Sequence, residues 1–465
     1  MMKENNVWKE IEKFDFDSPP SEYGFSVRLA YENGWSLNFT QKAIEEYKKF
    51  MFLASISKEM VSPSEIVDTV WHQHLLFSHF YANFCQKLGK WIDHVPSTHQ
   101  ASEKHTFVQA KKHTKELYRE YFGEMPKDIW QNNSILEDFR KNTKAKISKQ
   151  QIDIVAFFMF ILLFYPFRKL LEPVLLEIPG TNFLFIYPIL IAFVGIGLWI
   201  FTSNYFQKSI KDIMPKILLL QNLHPLELIY MQKRKLEFVI HAITNELFRK
   251  DCIQINNLNR LEITDKQVDK TFFEQIIYNY IHEQKAVYYT DLMNNFIYQP
   301  VFTQISKFVD DFDKAVSSSK IYLNYHLVKL TAYYITFSIG LSRFFLGIER
   351  DKPVGYLMGM LILFLIISHF YNLYLNEIFV SKIIPNNYCI KEKHTLISLD
   401  SSKYLGWEYL TMGHAVIVSS FAPIITFYKH KQNEDGSNAS SCGSGCSSGG
   451  SCGSSCGGGC GGCGG

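Results

Sequence analysis

Five candidate metal ligands lie between positions 68 and 94: Asp68, His72, His74, Cys85 and His94. Imidazole, carboxylate and thiolate are the donors that zinc and other first-row transition ions take, and such an ion needs three or four of them to converge. The stretch "VDTVWHQHLL" (67–76) reads as a helix. At about 100° per residue, Asp68, His72, Leu75 and His79 share one face, and Val67, Trp71, His74, Ser78, Tyr81 and Cys85 share another. His72 and His74 therefore point away from each other and cannot both hold one ion from a regular helix. Asp68 and His72, one turn apart, form the more natural pair, because a carboxylate so placed orients an imidazole. His94 lies past the helix end and would have to fold back to join them. A catalytic use would need a base and an open coordination position in addition, and no catalytic residue is assigned. The plainest alternative is a core helix whose Trp71, His74 and Tyr81 face inward with hydrogen-bonded polar tips. The spacing alone leaves these readings open.

The helix that carries these residues is expected to open at Ser62-Pro63-Ser64-Glu65, a capping box with the proline at the first helical position, and to run unbroken to Gly89. His99, His105 and His113 follow on what reads as a solvated surface.

The chain of 465 residues is 47% apolar and 15% aromatic, with the apolar residues gathered into long runs. That distribution marks a membrane protein of several domains rather than one globule. A formal charge of +3 provides no field of the kind that marks a nucleic-acid binder, so nucleic acid is not an expected partner. The first 24 residues carry charges throughout and no apolar core, so no signal peptide is expected and the front of the chain should stay cytoplasmic. Of nine cysteines, Cys85, Cys252 and Cys389 are scattered, while Cys442, Cys446, Cys452, Cys456, Cys460 and Cys463 crowd into the C-terminal tail. This is no extracellular disulfide framework.

The expected fold is mainly α: an N-terminal helical domain (1–150), a transmembrane hairpin (151–207), a cytosolic helical domain with a winged-helix-like order (208–326), a second hairpin (327–376), a cytosolic or interfacial segment (377–431) and a disordered tail (432–465). In the first hairpin, "IDIVAFFMFILLFYPFRKLL" is interrupted by Arg168 and Lys169, whereas 178–206 is an uncharged run long enough to cross a bilayer. The second hairpin joins 327–348 to 354–376 through "ERDKP", whose charges and proline argue against one continuous helix. Lysines before the first span (Lys141, Lys144, Lys146, Lys149) and after the second (Lys208, Lys211, Lys216) place both ends in the cytoplasm. The marginal run 409–428 is expected to be buried or interfacial. Between the hairpins, two helices and the alternating "CIQINNLNRLEIT" set the winged-helix-like order. The acidic Glu237 and Glu246 on its second helix argue against a DNA-reading role. The tail, glycine, serine and cysteine only from Cys442 onward, has no apolar side chain to offset ordering entropy.

Asp68, Trp71, His72, His74, Tyr81, Cys85 and His94 together resemble the core motif of the glycine-rich domain-containing protein family. The flanks "AIEEYKKFMFLA" and "LYREYFGEMPKDIW" extend that likeness over residues 25–131. The remainder is similar to a family of bacterial multi-pass membrane proteins with a Gly/Cys-rich C-terminus, through "LHPLELIYM" (223–231), "LGIERDKPVGYLMG" and the tail. This chain has "QKRKLE" where that family has a glycine-rich turn. The resemblances imply the domain order and a bacterial membrane protein, and bring no activity; with the lysine pattern, the expected location is the bacterial inner membrane with the N-terminus cytoplasmic.

Three functions follow as expectations. The first is a non-enzymatic, membrane-anchored scaffold or metal- and thiol-binding module, with zinc or another transition metal as the ligand and a protein partner met through 208–326 or the tail. The second is a membrane-anchored metal-dependent hydrolase using the histidine-rich helix. The third makes the Gly/Cys tail a substrate for modification. Transport is disfavoured, since the spans hold few ionisable groups beyond Lys329, Arg343 and His369.

Overall fold

The structure is a computed structural model that describes residues 2–95, 104–395 and 406–439. His99 and the cysteine-bearing tail fall outside the described residues. The chain is mainly helical.

Eight helices form the front: α1 (Met2–Glu12), α2 (Phe25–Asn33), α3 (Leu37–Ile56), α4 (Glu65–Leu76), α5 (Ser78–Leu88), α6 (Lys104–Phe122), α7 (Lys127–Trp130) and α8 (Glu137–Thr143). The central one is α3, capped by Ser36, whose hydroxyl accepts from the Phe39 N–H, and burying Tyr47, Phe50, Met51 and Leu53. Its buried Glu46 carboxylate accepts from the Tyr118 hydroxyl (2.8 Å) and Trp130 Nε1 (2.7 Å) and pairs with Lys49, which pins α6 and α7 to α3.

Two long helices follow, α9 (Lys149–Glu177) and α10 (Gly180–Ile213). The chain continues as α11 (Pro225–Lys233) and α12 (Leu236–Arg249), with a hairpin of β1 (Ile253–Ile255) and β2 (Leu261–Ile263). After α13 (Phe272–Gln284), strand β3 (Ala286–Val287) pairs antiparallel with β2, adding a third strand to the expected helix–helix–hairpin order. Next come α14 (Tyr289–Phe296) and the amphipathic α15 (Pro300–Ser317), which packs against α2 of the front. Leu37 N–H donates to buried Glu227 on α11 (2.7 Å), and one hydrophobic core runs through both regions from Ile11 to Tyr428.

Two further long helices follow, α16 (Lys320–Glu349) and α17 (Gly355–Ile378), the second continuing through a π-turn into α18 (Ile384–Thr395). Among the described residues, three segments are long and apolar enough to cross a membrane: Lys149–Glu177, Gly180–Lys216 and Gly355–Ile390. The span expected at 327–348 is not among them, although it forms most of α16. Its physical reason is that α16 packs against α9, α10 and α17, so it carries polar groups that those neighbours satisfy. Buried Lys329 donates to Asn372 and to Asn376 (2.9 Å), and Arg343 donates to the carbonyls of Leu175 and Ile178. At Gly340 an added Cβ would lie 2.5 Å from the Tyr187 hydroxyl, so the missing side chain makes room for the Tyr187 ring of α10, whose hydroxyl donates to the Thr336 carbonyl of α16 (3.2 Å). Around the hairpin tips, Leu175, Phe183, Tyr187, Leu346, Leu357 and Leu361 make a second core, separate from the main one.

The run 409–428 is broken into α19 (Trp407–Met412), a 3₁₀ turn and the start of α20 (Ala422–Ala439), with Tyr409, Phe421 and Tyr428 buried in the main core. Asn245 on α12 binds the backbone at Val416 and Val418, and Phe248 stacks on Phe421 at 4.8 Å.

Candidate metal centre

The site begins with the local chemistry of α4. Its cap is Ser64, whose hydroxyl accepts from Val67 N–H at 3.2 Å, so the helix starts two residues later than the expected Ser62 cap. Ser62 is taken by α6 instead: its N–H donates to the Thr114 hydroxyl at 2.9 Å, which holds Ser62-Pro63 outside the helix. The expected unbroken helix to Gly89 is also interrupted. Phe77, at φ −92° and ψ 58°, ends α4 and starts α5, with its ring on Phe25 (5.6 Å), and His79 consequently sits on a separate, exposed segment. Gly89 closes α5 in the left-handed region (φ 71°) and turns the chain back.

That return brings His94 onto α4. Its Nε2 lies 3.1 Å from Asp68 Oδ1, while His72 Nδ1 lies 3.7 Å from Asp68 Oδ2, and the two imidazole centroids are 4.5 Å apart. One donor atom from each of Asp68, His72 and His94 falls within 4.8 Å of the others. Ligands sharing an ion at about 2.1 Å sit roughly 3–3.5 Å apart, so side-chain rotations of about 1 Å close the set. The three differ in access: the His94 side chain is 14% exposed, Asp68 34% and His72 57%. The site is anchored on its buried side and open on the other.

His74 and Cys85 are not part of this group. His74 is fully buried in a cage of Phe16, Phe25, Tyr81 and Phe84 rings, and its Nδ1 shares a hydrogen bond of 2.8 Å with the Tyr47 hydroxyl. Burial pushes its pKa down to about 3, so it is a neutral core histidine at any physiological pH. Cys85 is a buried free thiol whose pKa burial raises, the opposite of what a thiolate ligand needs. Helical spacing already separates His74 from His72, and the core takes the face to which His74 and Cys85 belong.

The positioning residues are Trp71 and Tyr81. The Trp71 ring meets the His94 ring edge-on at 4.6 Å, and Trp71 Nε1 donates to the Tyr81 hydroxyl at 3.2 Å. The Tyr81 hydroxyl in turn donates to the Ile92 carbonyl. This relay fixes the chain two residues before His94 to the residue just before His72. Their aromatic side chains share the inward face with His74, so the sequence shows them as core and gives no sign of the longer-range tie. Tyr81→Phe removes the acceptor for Trp71 and the donor for Ile92, and is expected to cost roughly 1–3 kcal/mol of stability. It should also weaken metal binding about 10–100-fold, as loss of an orienting hydrogen bond does. Denaturant unfolding and zinc titration of the variant check both, and unchanged affinity would mean that His94 is held by other contacts.

A protein-family model described as UCP032817-like matches residues 13–119, a range that includes Asp68, His72, His94 and the relay. No curated protein and no solved structure matches the chain.

Proposed function

We propose that this chain is a multi-pass membrane protein, N-terminus on the cytoplasmic side, whose soluble front holds one transition-metal ion through Asp68, His72 and His94. Zinc is the first candidate, and the protein acts as a non-enzymatic scaffold or metal- and thiol-binding module. The observation that carries the metal reading is the convergence of one carboxylate and two imidazoles, donor atoms within 4.8 Å, from segments brought together only by folding. Two histidines and a carboxylate are a donor set that zinc and iron(II) sites both use. Support for the membrane reading comes from three apolar helices with broad exposed faces, Phe157, Phe158, Leu162, Phe185, Phe193 and Phe370 among them. The likeness of 25–131 to glycine-rich domain-containing proteins, and of the rest to bacterial membrane proteins with thiol-rich tails, belongs to the same reading.

The test separates the helix-borne site from the tail thiols. Full-length protein with Cys442, Cys446, Cys452, Cys456, Cys460 and Cys463 replaced by serine is purified metal-free in detergent and titrated with zinc and cobalt(II). One bound ion per chain, with a cobalt spectrum of N/O coordination, supports the proposal. No uptake removes it.

One observation favours a second reading, a metal-dependent hydrolase. Three protein ligands leave a coordination position for water, and His72 opens to solvent. Zinc-dependent ester or phosphoester hydrolysis, lost in the His72→Ala variant, would select this reading over the scaffold.

A further inference from the structure

The long helices enclose a groove that the metal site does not explain. Helices α9 and α16 run side by side in the same direction. Asp153 meets His326 at one end (2.7 Å), Phe160 faces Tyr334 midway (5.2 Å), and Arg168 pairs with Glu349 at the other end. Between them lies a groove of about 700 Å³, walled by Ile152, Val155, Met159, Phe160, Leu163 and Phe167 of α9 and by matching α16 residues from Leu323 to Ser338. Most of the wall surface is apolar, with Asn324, Thr331 and Ser338 adding polar groups on the α16 side, and by helical rise the groove is about 22 Å long. Its far end is deep among the spans.

Its mouth is basic. Lys144 pairs backbone to backbone with Ser319 in an isolated antiparallel bridge, which brings Lys144 and Lys146, before α9, beside Lys320 at the start of α16. All three side chains are exposed, and among the described residues no carboxylate pairs with them. Lysines left without counter-charges, at the level where the helices leave the soluble body, are placed where the anionic surface of the cytoplasmic leaflet would lie. An apolar trough longer than half of a roughly 30 Å hydrocarbon core, ending in three ammonium groups, has the shape and charge of a lipid: chain in the trough, phosphate at the mouth.

We propose that this groove binds an anionic phospholipid, one acyl chain lying between α9 and α16 and the headgroup phosphate held by Lys144, Lys146 and Lys320. The inference rests on the reading of these helices as membrane-embedded, and its charge complementarity selects an anionic lipid over a zwitterionic one. No bond is made or broken; the lipid is a structural ligand that would tie the first hairpin to the second where they meet the soluble body.

The experiment uses full-length protein in detergent micelles. Native mass spectrometry counts bound lipid, and thermal unfolding reports protection, on adding phosphatidylglycerol, phosphatidylcholine or inorganic phosphate. Phosphatidylglycerol should be retained and should raise the unfolding temperature more than phosphatidylcholine. The Lys144→Gln/Lys146→Gln/Lys320→Gln variant should bind it on the order of 100-fold more weakly, since three cationic contacts are removed. Equal retention of both lipids by the parent protein overturns the proposal without reference to any variant. So does equal protection by inorganic phosphate, which would point to a soluble ligand, or undiminished phosphatidylglycerol binding by the triple variant. The membrane reading fails separately, if alkaline carbonate strips the parent protein from membranes. Protein that resists carbonate yet shows no lipid preference sinks the lipid site alone.

Discussion

Asp68→Ala is expected to lower zinc affinity by roughly 100-fold or more while leaving the helical front folded. The carboxylate touches both imidazoles: Oδ1 lies 3.1 Å from His94 and Oδ2 lies 3.7 Å from His72. Its removal deletes a ligand and also the partner that orients the other two, and loss of an orienting partner by itself costs about 10–100-fold. Stability should change little, because the Asp68 side chain is 34% exposed and exposed pairs of this kind are worth about 0–1 kcal/mol. Asp68→Asn keeps the shape and loses the charge, so it should fall between the parent and the alanine variant. His74→Ala should behave in the opposite way. It empties a position enclosed by aromatic rings and takes away the Tyr47 hydroxyl's partner, at a cost of roughly 2–4 kcal/mol, yet deletes no ligand. Zinc titration and denaturant unfolding of the two variants, run on the tail-cysteine-free chain, give a crossed pattern if the site is Asp68, His72 and His94. Parent-like zinc affinity in Asp68→Ala would remove Asp68 from the site.

The parts of this molecule that could be read from its sequence are those set by local pattern. The long apolar helices are visible because long uncharged runs have few other uses, and the separation of His72 from His74 follows from helical geometry alone. Features set by distant contacts were hidden. Phe77 breaks the α4–α5 helix without a glycine or proline to announce it, because its ring docks on Phe25. The shift of the α4 cap from Ser62 to Ser64 depends on Thr114, on another helix. The return of His94 depends on Trp71, Tyr81 and Ile92 acting in series. In α16 the difficulty is of another kind. A helix packed against α9, α10 and α17 can carry Lys329 and Arg343 once Asn372, Asn376 and the carbonyls of Leu175 and Ile178 receive them, and a hydropathy pattern records the charges but not their partners.

The joint between the front helices and α11 was equally invisible, and it yields the second large effect. Glu227 is fully buried on α11, where Oε2 accepts from the His224 N–H (2.8 Å), completing that helix's own cap, and Oε1 accepts from the Leu37 N–H (2.7 Å) at the start of α3. One carboxyl group thus closes two helix N-termini that are far apart in sequence. Glu227→Ala leaves both N–H groups without an acceptor, which at about 1–3 kcal/mol each amounts to roughly 2–6 kcal/mol of lost stability. Burial raises the Glu227 pKa from 4.5 to about 7, against the two backbone hydrogen bonds that lower it. A folded-state pKa above the unfolded one means that the folded protein holds the proton more tightly. The stabilisation is therefore full below pH 4.5 and is lost as pH rises through 7. Glu227→Gln removes this titration while keeping the side chain's volume. Compared with the parent at each pH, it should cost more at pH 5 than at pH 8, by about 2–3 kcal/mol. His224 beside it has the opposite displacement, its pKa pushed by burial from 6.5 down to about 4, so its contribution is present above 6.5 and lost as pH falls through 4. The two nearly cancel in the parent, which should show a flat stability profile across this range from this pair. The variant, keeping only the histidine, should become acid-sensitive. Denaturant unfolding in neutral detergent, followed by tryptophan fluorescence at pH 5, 6, 7 and 8, measures the difference directly. A parent-to-variant gap that stays constant with pH would mean that Glu227 remains ionised in the folded joint, held there by its two backbone donors.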